Sequence, residues 1–294
     1  MLQARHRPLP RPHRDAHRPS RSRVAPARGH AEVNPRRVLH CWHRPWLGGS
    51  APPLSLFMSS PEDHAIQVNF GKPMPIFPLE QVTLLPQQVL PLHIFEPRYR
   101  QMVSEALDGA GQIAMAVFAG EAWKQEYHGK PTIKPTVCVG QIVQHEKLDD
   151  GRFNLLLQGV CRARVVDEKP LTAERQYRLA MLEPVGLESE AFLDLSGART
   201  ELEKLLSEGP LTRLRAAEPI VEYLRNEDYP THALLELISF AIVTDPTLRY
   251  RLLAEGDAQE RAKMILSEMH HLESLLRRAE AQRPGEIPKG CSWN

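Results

Sequence analysis

The segment of residues 91–103, PLHIFEPRYRQMV, gathers side chains that can form ion pairs or exchange protons. They are His93, Glu96, Arg98, Tyr99 and Arg100. Such a set could be an active site, a surface that docks a partner, or only the corner between a strand and a helix. The sequence on either side helps to distinguish these three roles, because a catalytic or docking role requires elements that hold these groups in place.

A helix is predicted to begin within this segment. Pro97 suits the first helical position, where its missing N–H would have no partner anyway. Glu96 places negative charge at the positive end of the helix dipole. Apolar residues then recur at helical spacing and predict one buried face: Tyr99, Met102, Val103, Ala106 and Leu107. We therefore expect chiefly a corner, in which Tyr99 packs inward and Arg98 or Arg100 pairs with nearby acids.

Short apolar runs on both sides of this corner predict a β-rich region over residues 73–186. The runs lie at 76–79, 82–85, 89–95, 113–119 and 177–185. The clearest hairpin spans residues 137–168, where the sequence DDG at 149–151 supplies the tight turn. Gly159 lies inside the second strand of this hairpin and predicts a bulge.

The apolar period changes to 3.6 residues after Gly186, which predicts a helical part over residues 187–283 and a tail at 284–294. Helices are predicted at about 189–207, 211–226, 231–243, 247–254 and 257–282. Strands followed by helices indicate an α+β chain and not repeated βαβ units. The last helix either packs on the others or forms a homo-oligomer contact through a seam of apolar residues, namely Ala262, Ile265, Met269, Leu272, Leu276 and Ala279.

Apparent cofactor and metal motifs fail on order or spacing. The glycines of GAGQIA at 109–114 follow a helix and precede a strand, the reverse of a dinucleotide site. HGKPT at 128–132 lacks parts of a phosphate loop, and HEKLD at 145–149 lacks the second histidine of a zinc helix. His270 and His271 are adjacent, so they point to different sides of a helix. We therefore predict no cofactor, no metal site and no catalytic residue.

The first 57 residues differ in composition from the rest. They hold eleven Arg, no Lys and two acidic residues, a net charge of +9, whereas residues 58–294 carry a net charge of −8. An Arg-, Pro- and His-rich segment cannot bury enough apolar surface to fold. We interpret it as a disordered segment that results from a mis-annotated start, with translation beginning at Met58. A basic arm that binds nucleic acid or anionic lipid, and a transit peptide, are the alternatives.

The acidic charge of residues 58–294 argues against nucleic-acid binding by that part of the chain. Four cysteines, Cys41, Cys138, Cys161 and Cys291, show no zinc spacing, so a reducing compartment is expected. The sequence has no run of 18 apolar residues, which predicts no membrane span. The N-terminus lacks the apolar stretch of a secretory signal, and a cytoplasmic location is the expectation.

Three segments together resemble the N-terminal substrate-binding domain of Lon proteases. They are PIFPLEQVTLLPQQVLPLHIFEPRYRQMV, VGQIVQHEKLDDGRFNLLLQGVCRARV and VTDPTLRYRLLAEGDAQERAKMILSEMHHLESLL, within residues 73–282. The sequence is most similar to stand-alone bacterial proteins that contain only this domain. The resemblance implies an open, bent, β-barrel-like unit followed by a C-terminal helical bundle. In full Lon proteases this domain helps to recognise unfolded substrates and to assemble the oligomer.

The resemblance also implies a function. A Lon protease continues into an ATPase module and a Ser-Lys peptidase, and because neither motif is found here, neither activity is carried over. We expect a non-catalytic module that binds an unfolded or partner polypeptide. Its candidate binding residues are Glu96, Arg98 and Arg100 at the corner and Trp123 and Tyr127 in a polar loop. A lid over the core is the alternative role of the two loop aromatics.

Two other classes of function stay open on the sequence alone. A hydrolase site can be assembled only in three dimensions, and a carboxylate and a nucleophile close to His93 or His145 would favour it. Nucleic-acid binding through the basic arm requires that residues 1–57 be translated.

Overall fold

The computed structural model describes residues 66–126, 130–186 and 193–282. The predictions for residues 1–57 and for the tail at 284–294 lie outside these ranges. The strands are β1 (Met74–Leu79), β2 (Val89–Ile94), β3 (Gln112–Val117), β4 (Thr136–Lys147), β5 (Phe153–Lys169) and β6 (Arg178–Pro184). The helices are α1 (Pro97–Leu107), α2 (Trp123–Glu126), α3 (Ser196–Ser207), α4 (Ala217–Arg225), α5 (Thr231–Ala241), α6 (Pro246–Ala254) and α7 (Ala258–Gln282), with a 3-10 helix at Gly209–Arg213.

The six strands form one sheet that closes on itself. Their order is β2-β5-β4-β3-β1-β6, and β5 also pairs with β6, so that five strands make a ring and β2 extends from β5. Strand β5 is 17 residues long, and it pairs with β2 through residues 153–158 and with β6 through residues 163–169. This sharing bends the sheet into a barrel-like unit, and the helices follow it as predicted.

A bulge next to Gly159 lets β5 bend, as the sequence predicts. The ladder between β4 and β5 passes from Cys161 to Gly159 and skips Val160. A Cβ atom at position 159 would collide with the backbone carbonyl oxygen of Leu85. Glycine is therefore required at the point where the chain before β2 crosses β5.

One strand prediction is wrong. Residues 82–85 form a connection between β1 and β2 and no strand. Gln81 and Gln87 flank this connection with positive φ values of 55° and 67°, so the backbone leaves the extended region at both ends. Leu84 and Leu85 are buried in the barrel core. The apolar run therefore reflects burial, and a run this short carries no period that distinguishes a strand.

The helical part is more interrupted than its 3.6-residue period predicts. Helix α3 begins at Ser196 and residues 193–195 before it are not helical, whereas the predicted start at 189 lies outside the described residues. The helix predicted at 211–226 is divided into the 3-10 helix and α4. The break between these two helices lies at Leu214, whose backbone is extended with a ψ of 130°. No helix among the described residues is both long and apolar enough to cross a membrane. The first four residues of the predicted α7 seam are buried in the core of the bundle: Ala262, Ile265, Met269 and Leu272.

A buried cluster of three charged residues joins the sheet to the helices. Glu236 of α5 accepts hydrogen bonds from Arg162 of β5 at 2.8 and 2.9 Å, and it pairs with Arg261 of α7 at 3.2 Å. The three side chains are at most 6% exposed. Each arginine also donates to a carbonyl oxygen at the end of α6, Arg162 to Leu252 and Arg261 to Gly256. These bonds offset the cost of burying the charges, and we call the cluster the Arg–Glu–Arg junction.

Two contacts between uncharged groups also hold α6 and the residues after it against the sheet. The Tyr250 hydroxyl of α6 accepts a hydrogen bond from the N–H of Thr136 in β4 at 3.0 Å. Gly186, which follows β6, lies backbone against backbone with Gly256, and a Cβ atom on Gly186 would collide with it. Helix α6 is therefore fixed against the sheet, with its first residues beside the ends of β1 and β3.

Candidate functional site

The corner between β2 and α1 is built as the sequence predicts. Pro97 is the first residue of α1, and Glu96 precedes it in an extended conformation. The Glu96 carboxylate accepts a hydrogen bond from Arg98 Nε at 3.1 Å, and the guanidinium lies 4.5 Å from the centre of the Tyr99 ring. Tyr99 points into the core, where it meets Phe77 edge to face with ring centres 4.7 Å apart. The corner is a packed unit, and Arg98 belongs to it.

Arg100 instead contacts the turn of the β4–β5 hairpin. Its guanidinium lies so close to Gly151 that a side chain there would collide with it. A hydrogen bond from the backbone N–H of Arg152, together with the guanidinium groups of Arg152 and Arg100, lowers the pKa of the Asp150 carboxyl. Arg100 therefore supports the hairpin, whereas Arg98 faces Glu96.

Trp123 lies beside a cleft at the ends of β1 and β3. The segment predicted to be a loop contains one helical turn, α2, which begins at this residue. The indole stacks on Phe118, with ring centres 5.1 Å apart and planes 5° apart. The cleft has a volume of about 400 Å³ and lies between the sheet and the start of α6. We call it the Trp123 cleft, and its walls include Glu80, Val117, Phe118, Glu121, Trp123, Lys134, Pro246 and Thr247.

Charged groups surround the apolar part of the Trp123 cleft. Lys124 Nζ pairs with Glu121 at 2.7 Å and with Glu80 at 3.7 Å, and the Glu121 bond raises the pKa of this lysine. The ammonium of Lys134 lies 4.2 Å from the ring centre of Tyr250. An apolar wall with a few polar groups at its rim is typical of a site that binds an apolar group within a polar ligand.

The two ends of the segment that carries Trp123 are tied to each other and to the end of β3. The N–H of Ala119 donates to the carbonyl of Thr132 at 2.9 Å, and the N–H of Lys134 donates to the carbonyl of Val117 at 2.8 Å. These backbone bonds hold the base of the segment beside the barrel. The position of the indole against Phe118 therefore rests on sheet-like backbone pairing as well as on ring stacking.

Phe118 also connects the Trp123 cleft with the corner. A second, narrower cleft is lined by Phe118 together with Arg98, Leu171 and Tyr177. The structure thus brings two predicted binding residues, Arg98 and Trp123, to clefts that share one aromatic side chain. Arg100 lines neither cleft among the described residues.

The surroundings of His93 bear on the alternative of a hydrolase site, which requires a nucleophile and a carboxylate close to this imidazole. Its Nδ1 atom is 2.7 Å from Oδ1 of Asn154, and its Nε2 atom is 3.3 Å from a guanidinium nitrogen of Arg152. Neither partner is a nucleophile or a carboxylate. His145 is exposed on β4. The described part of the chain contains no group of three His, Cys, Asp or Glu side chains that could hold a metal ion.

The sequence model of the ATP-dependent protease La (LON) substrate-binding domain matches residues 73–271. The chain belongs to this family. The fold agrees, since the N-terminal domain of the Mycobacterium avium complex Lon protease matches with a TM-score of 0.53 at 18% identity, over 68% of this chain and 98% of that one. The resemblance and the α+β fold with a barrel-like sheet, both expected from the sequence, are confirmed.

The similarity to whole Lon proteases is partial. The Lon protease of Desulfosudis oleivorans is 22% identical over 206 residues, which are 69% of this chain and 24% of that protein. The Lon protease of Chloroflexus aggregans is 24% identical over 239 residues, 79% of this chain and 28% of that protein. The chain thus spans 24% to 28% of the length of these curated relatives.

Two aromatic residues near these sites were not among the residues predicted to bind. Phe95, just before the corner, is 60% exposed and stacks on His93. Strand alternation from the buried Ile94 could have placed it outside. Phe118 lies within the strand predicted at 113–119, and only the folded loop makes it a wall of the cleft. Tyr127, the other predicted loop aromatic, lies outside the described residues.

Proposed function

We propose that this LON substrate-binding domain is a non-catalytic module that binds an unfolded or partner polypeptide, with an apolar side chain of that polypeptide in the Trp123 cleft. The observation that carries the proposal is the stack of Trp123 on Phe118 at the wall of a cavity of about 400 Å³. Aromatic side chains within a polar rim are typical of binding hot spots. The family description, which names substrate binding, supports a polypeptide as the ligand.

The other predicted binding residues take different parts in this proposal. Arg98 lines the second cleft at Phe118 and would meet the polypeptide as it leaves the Trp123 cleft. Glu96, which pairs with Arg98 at 3.0 Å, would hold its guanidinium in place. Tyr127, close to Trp123 in sequence, would add a second aromatic contact. Arg100 would act indirectly, through the hairpin turn that it supports.

We further propose that the chain hydrolyses neither ATP nor protein, acts in the cytoplasm, and does not bind nucleic acid through residues 58–294. A homo-oligomer contact through α7 would use its C-terminal part, where Leu275 is 45% exposed, because the earlier seam residues pack inside the bundle. The absence of hydrolysis is tested with the purified chain, which is expected to turn over neither ATP nor casein. Turnover that a point substitution in this chain abolishes would contradict it.

The experiment for the binding site is the substitution Trp123→Ala, with fluorescently labelled casein as an unfolded polypeptide. The affinity is expected to fall about thirtyfold, because a hot-spot aromatic contributes about 2 kcal/mol to binding. Trp123→Phe keeps a ring against Phe118 and is expected to lose much less. Fluorescence anisotropy gives the dissociation constants.

Val166→Ala is the matched control, since Val166 is 61% exposed on β5 and does not line the Trp123 cleft. It is expected to bind casein like the wild type. Thermal melting of each variant separates lost binding from lost folding. Wild-type affinity in a folded Trp123→Ala variant would contradict the proposal.

A further inference from the structure

Strand β2 differs from the other described strands in its backbone pairing, because it has a neighbouring strand on one side only. Among the described strands, each member of the ring pairs on both sides, whereas β2 pairs only with β5. Its six pairs run without a bulge from Val89 opposite Gln158 to Ile94 opposite Phe153. The side away from β5 therefore presents backbone N–H and C=O groups over about 20 Å. We call this side the β2 edge.

The sequence of β2 does little to block pairing at this edge. Edge strands are normally protected by lysine, an inward-pointing charge, a bulge or a covering element. The strand reads VLPLHI and carries no acidic residue, lysine or arginine, so Pro91 is the one protective residue within it. Directly after the strand, Phe95 is 60% exposed and stacks on His93 with ring centres 6.3 Å apart. An apolar edge with an aromatic pair at its end favours a binding role.

Pro91 indicates which backbone groups face outwards. Proline within a strand lies where its missing N–H would point away from the neighbouring strand. Backbone groups of an antiparallel strand alternate between facing the partner and facing away. The N–H groups of Val89 and His93 therefore lie on the outward side with the carbonyl of Pro91. Donors and acceptors at this spacing match one kind of ligand, another extended polypeptide backbone.

We propose that the β2 edge binds an extended, apolar segment of a partner polypeptide, which adds to the sheet as a further strand. Backbone hydrogen bonds supply affinity with little dependence on sequence, and the Phe95–His93 pair takes an apolar side chain. No described β2 residue lines the Trp123 cleft. This site is separate from the one proposed above, and either can fail without the other.

The probe is a blocked hexapeptide of alternating valine and threonine, with two versions that carry N-methyl groups on the odd or on the even residues. N-methylation removes the donors from one side of an extended peptide. The wild-type chain is expected to bind the unmodified peptide and one methylated version, and to bind the other at least about tenfold more weakly. Amide hydrogen exchange at Val89 and His93 is expected to slow when the unmodified peptide is bound.

The variant His93→Pro removes an outward N–H and is expected to weaken peptide binding about tenfold. The control Val166→Ala lies on β5 outside the residues that pair with β2 and is expected to leave binding unchanged. Melting curves show whether His93→Pro folds, and the methylated peptides test the wild type without any variant. Equal binding of all three peptides, binding of none, or wild-type binding by a folded His93→Pro variant would overturn the proposal. So would sedimentation that shows a wild-type dimer dissociated by His93→Pro, since the occupant would then be a second copy.

Discussion

The Arg–Glu–Arg junction and the rim of the Trp123 cleft contain similar charged groups in different surroundings. In the junction, Arg162, Glu236 and Arg261 are at most 6% exposed. At the rim, Lys124 and Glu121 pair at 2.7 Å, yet their side chains are 54% and 75% exposed. Water and salt screen the rim pair, whereas removal of one junction partner leaves a buried charge uncompensated. Similar distances therefore correspond to very different effects on the free energy of unfolding.

This difference assigns the two clusters to different tasks. The junction fixes α6 against the sheet, and α6 in turn places Pro246 and Thr247 in the wall of the Trp123 cleft. The rim charges can rearrange around a ligand at little cost to the fold. Strong pairing thus sets the geometry of the domain, whereas the weakly paired rim charges are available for the polypeptide binding proposed above.

The largest expected effect is that of Glu236→Leu. It leaves the two junction arginines without their shared carboxylate, and the free energy of unfolding is expected to fall by about 3–5 kcal/mol. Denaturant titration followed by circular dichroism measures this loss. The matched control is Glu203→Leu, which breaks an exposed pair with Arg225 at 2.8 Å and is expected to cost at most about 1 kcal/mol. Equal losses in the two variants would remove the distinction between buried and exposed pairs.

The next effect in size is that of Tyr99→Ala at the corner. The ring is buried against Phe77, and its removal is expected to lower the free energy of unfolding by about 3 kcal/mol. Arg98→Ala is expected to cost about 1.5 kcal/mol, because its charged hydrogen bond to Glu96 is mostly shielded from water. Arg100→Ala is expected to cost about 0.5 kcal/mol. Denaturant titrations give the order of the three losses in stability. An unfolding midpoint of Tyr99→Ala equal to that of the wild type would show that the corner is not a structural unit.

The smallest effect is expected for Lys124→Ala at the rim. Its side chain is 54% exposed and its ion pairs are screened by water, so the midpoint of denaturant unfolding is expected to match that of the wild type at both low and high salt. The same titrations, repeated in sodium chloride, provide the measurement. A loss of stability as large as that of Tyr99→Ala would show that the rim belongs to the structural part of the molecule.

The corner and the order of strands and helices could be predicted because they depend on local patterns. Pro97 marks a helix start, helical spacing marks Tyr99 as buried, and DDG at 149–151 marks a hairpin turn. The connection at 82–85 has the sequence of a strand because a short apolar run indicates burial without indicating the element that is buried.

The junction and the cleft could not be predicted, since each unites residues far apart in the chain. Glu236 gave one signal, a carboxylate inside the apolar helix sequence ALLELISFA, which suggests a buried partner. Nothing local to Arg162 or Arg261 identifies them as those partners. In the same way, Trp123 could be named as a candidate, but the Phe118 ring and the start of α6 that complete the cleft become visible only in the fold.

The most direct test of the central claim is to map where an unfolded polypeptide touches the domain. Casein that carries a photoreactive group would be irradiated with the wild-type chain, and the cross-linked peptides would be identified by mass spectrometry. Cross-links are expected in residues 117–126 and 246–250, and they should be lost in the folded Trp123→Ala variant but not in Val166→Ala. Cross-links that avoid both segments and persist in Trp123→Ala would contradict the central claim.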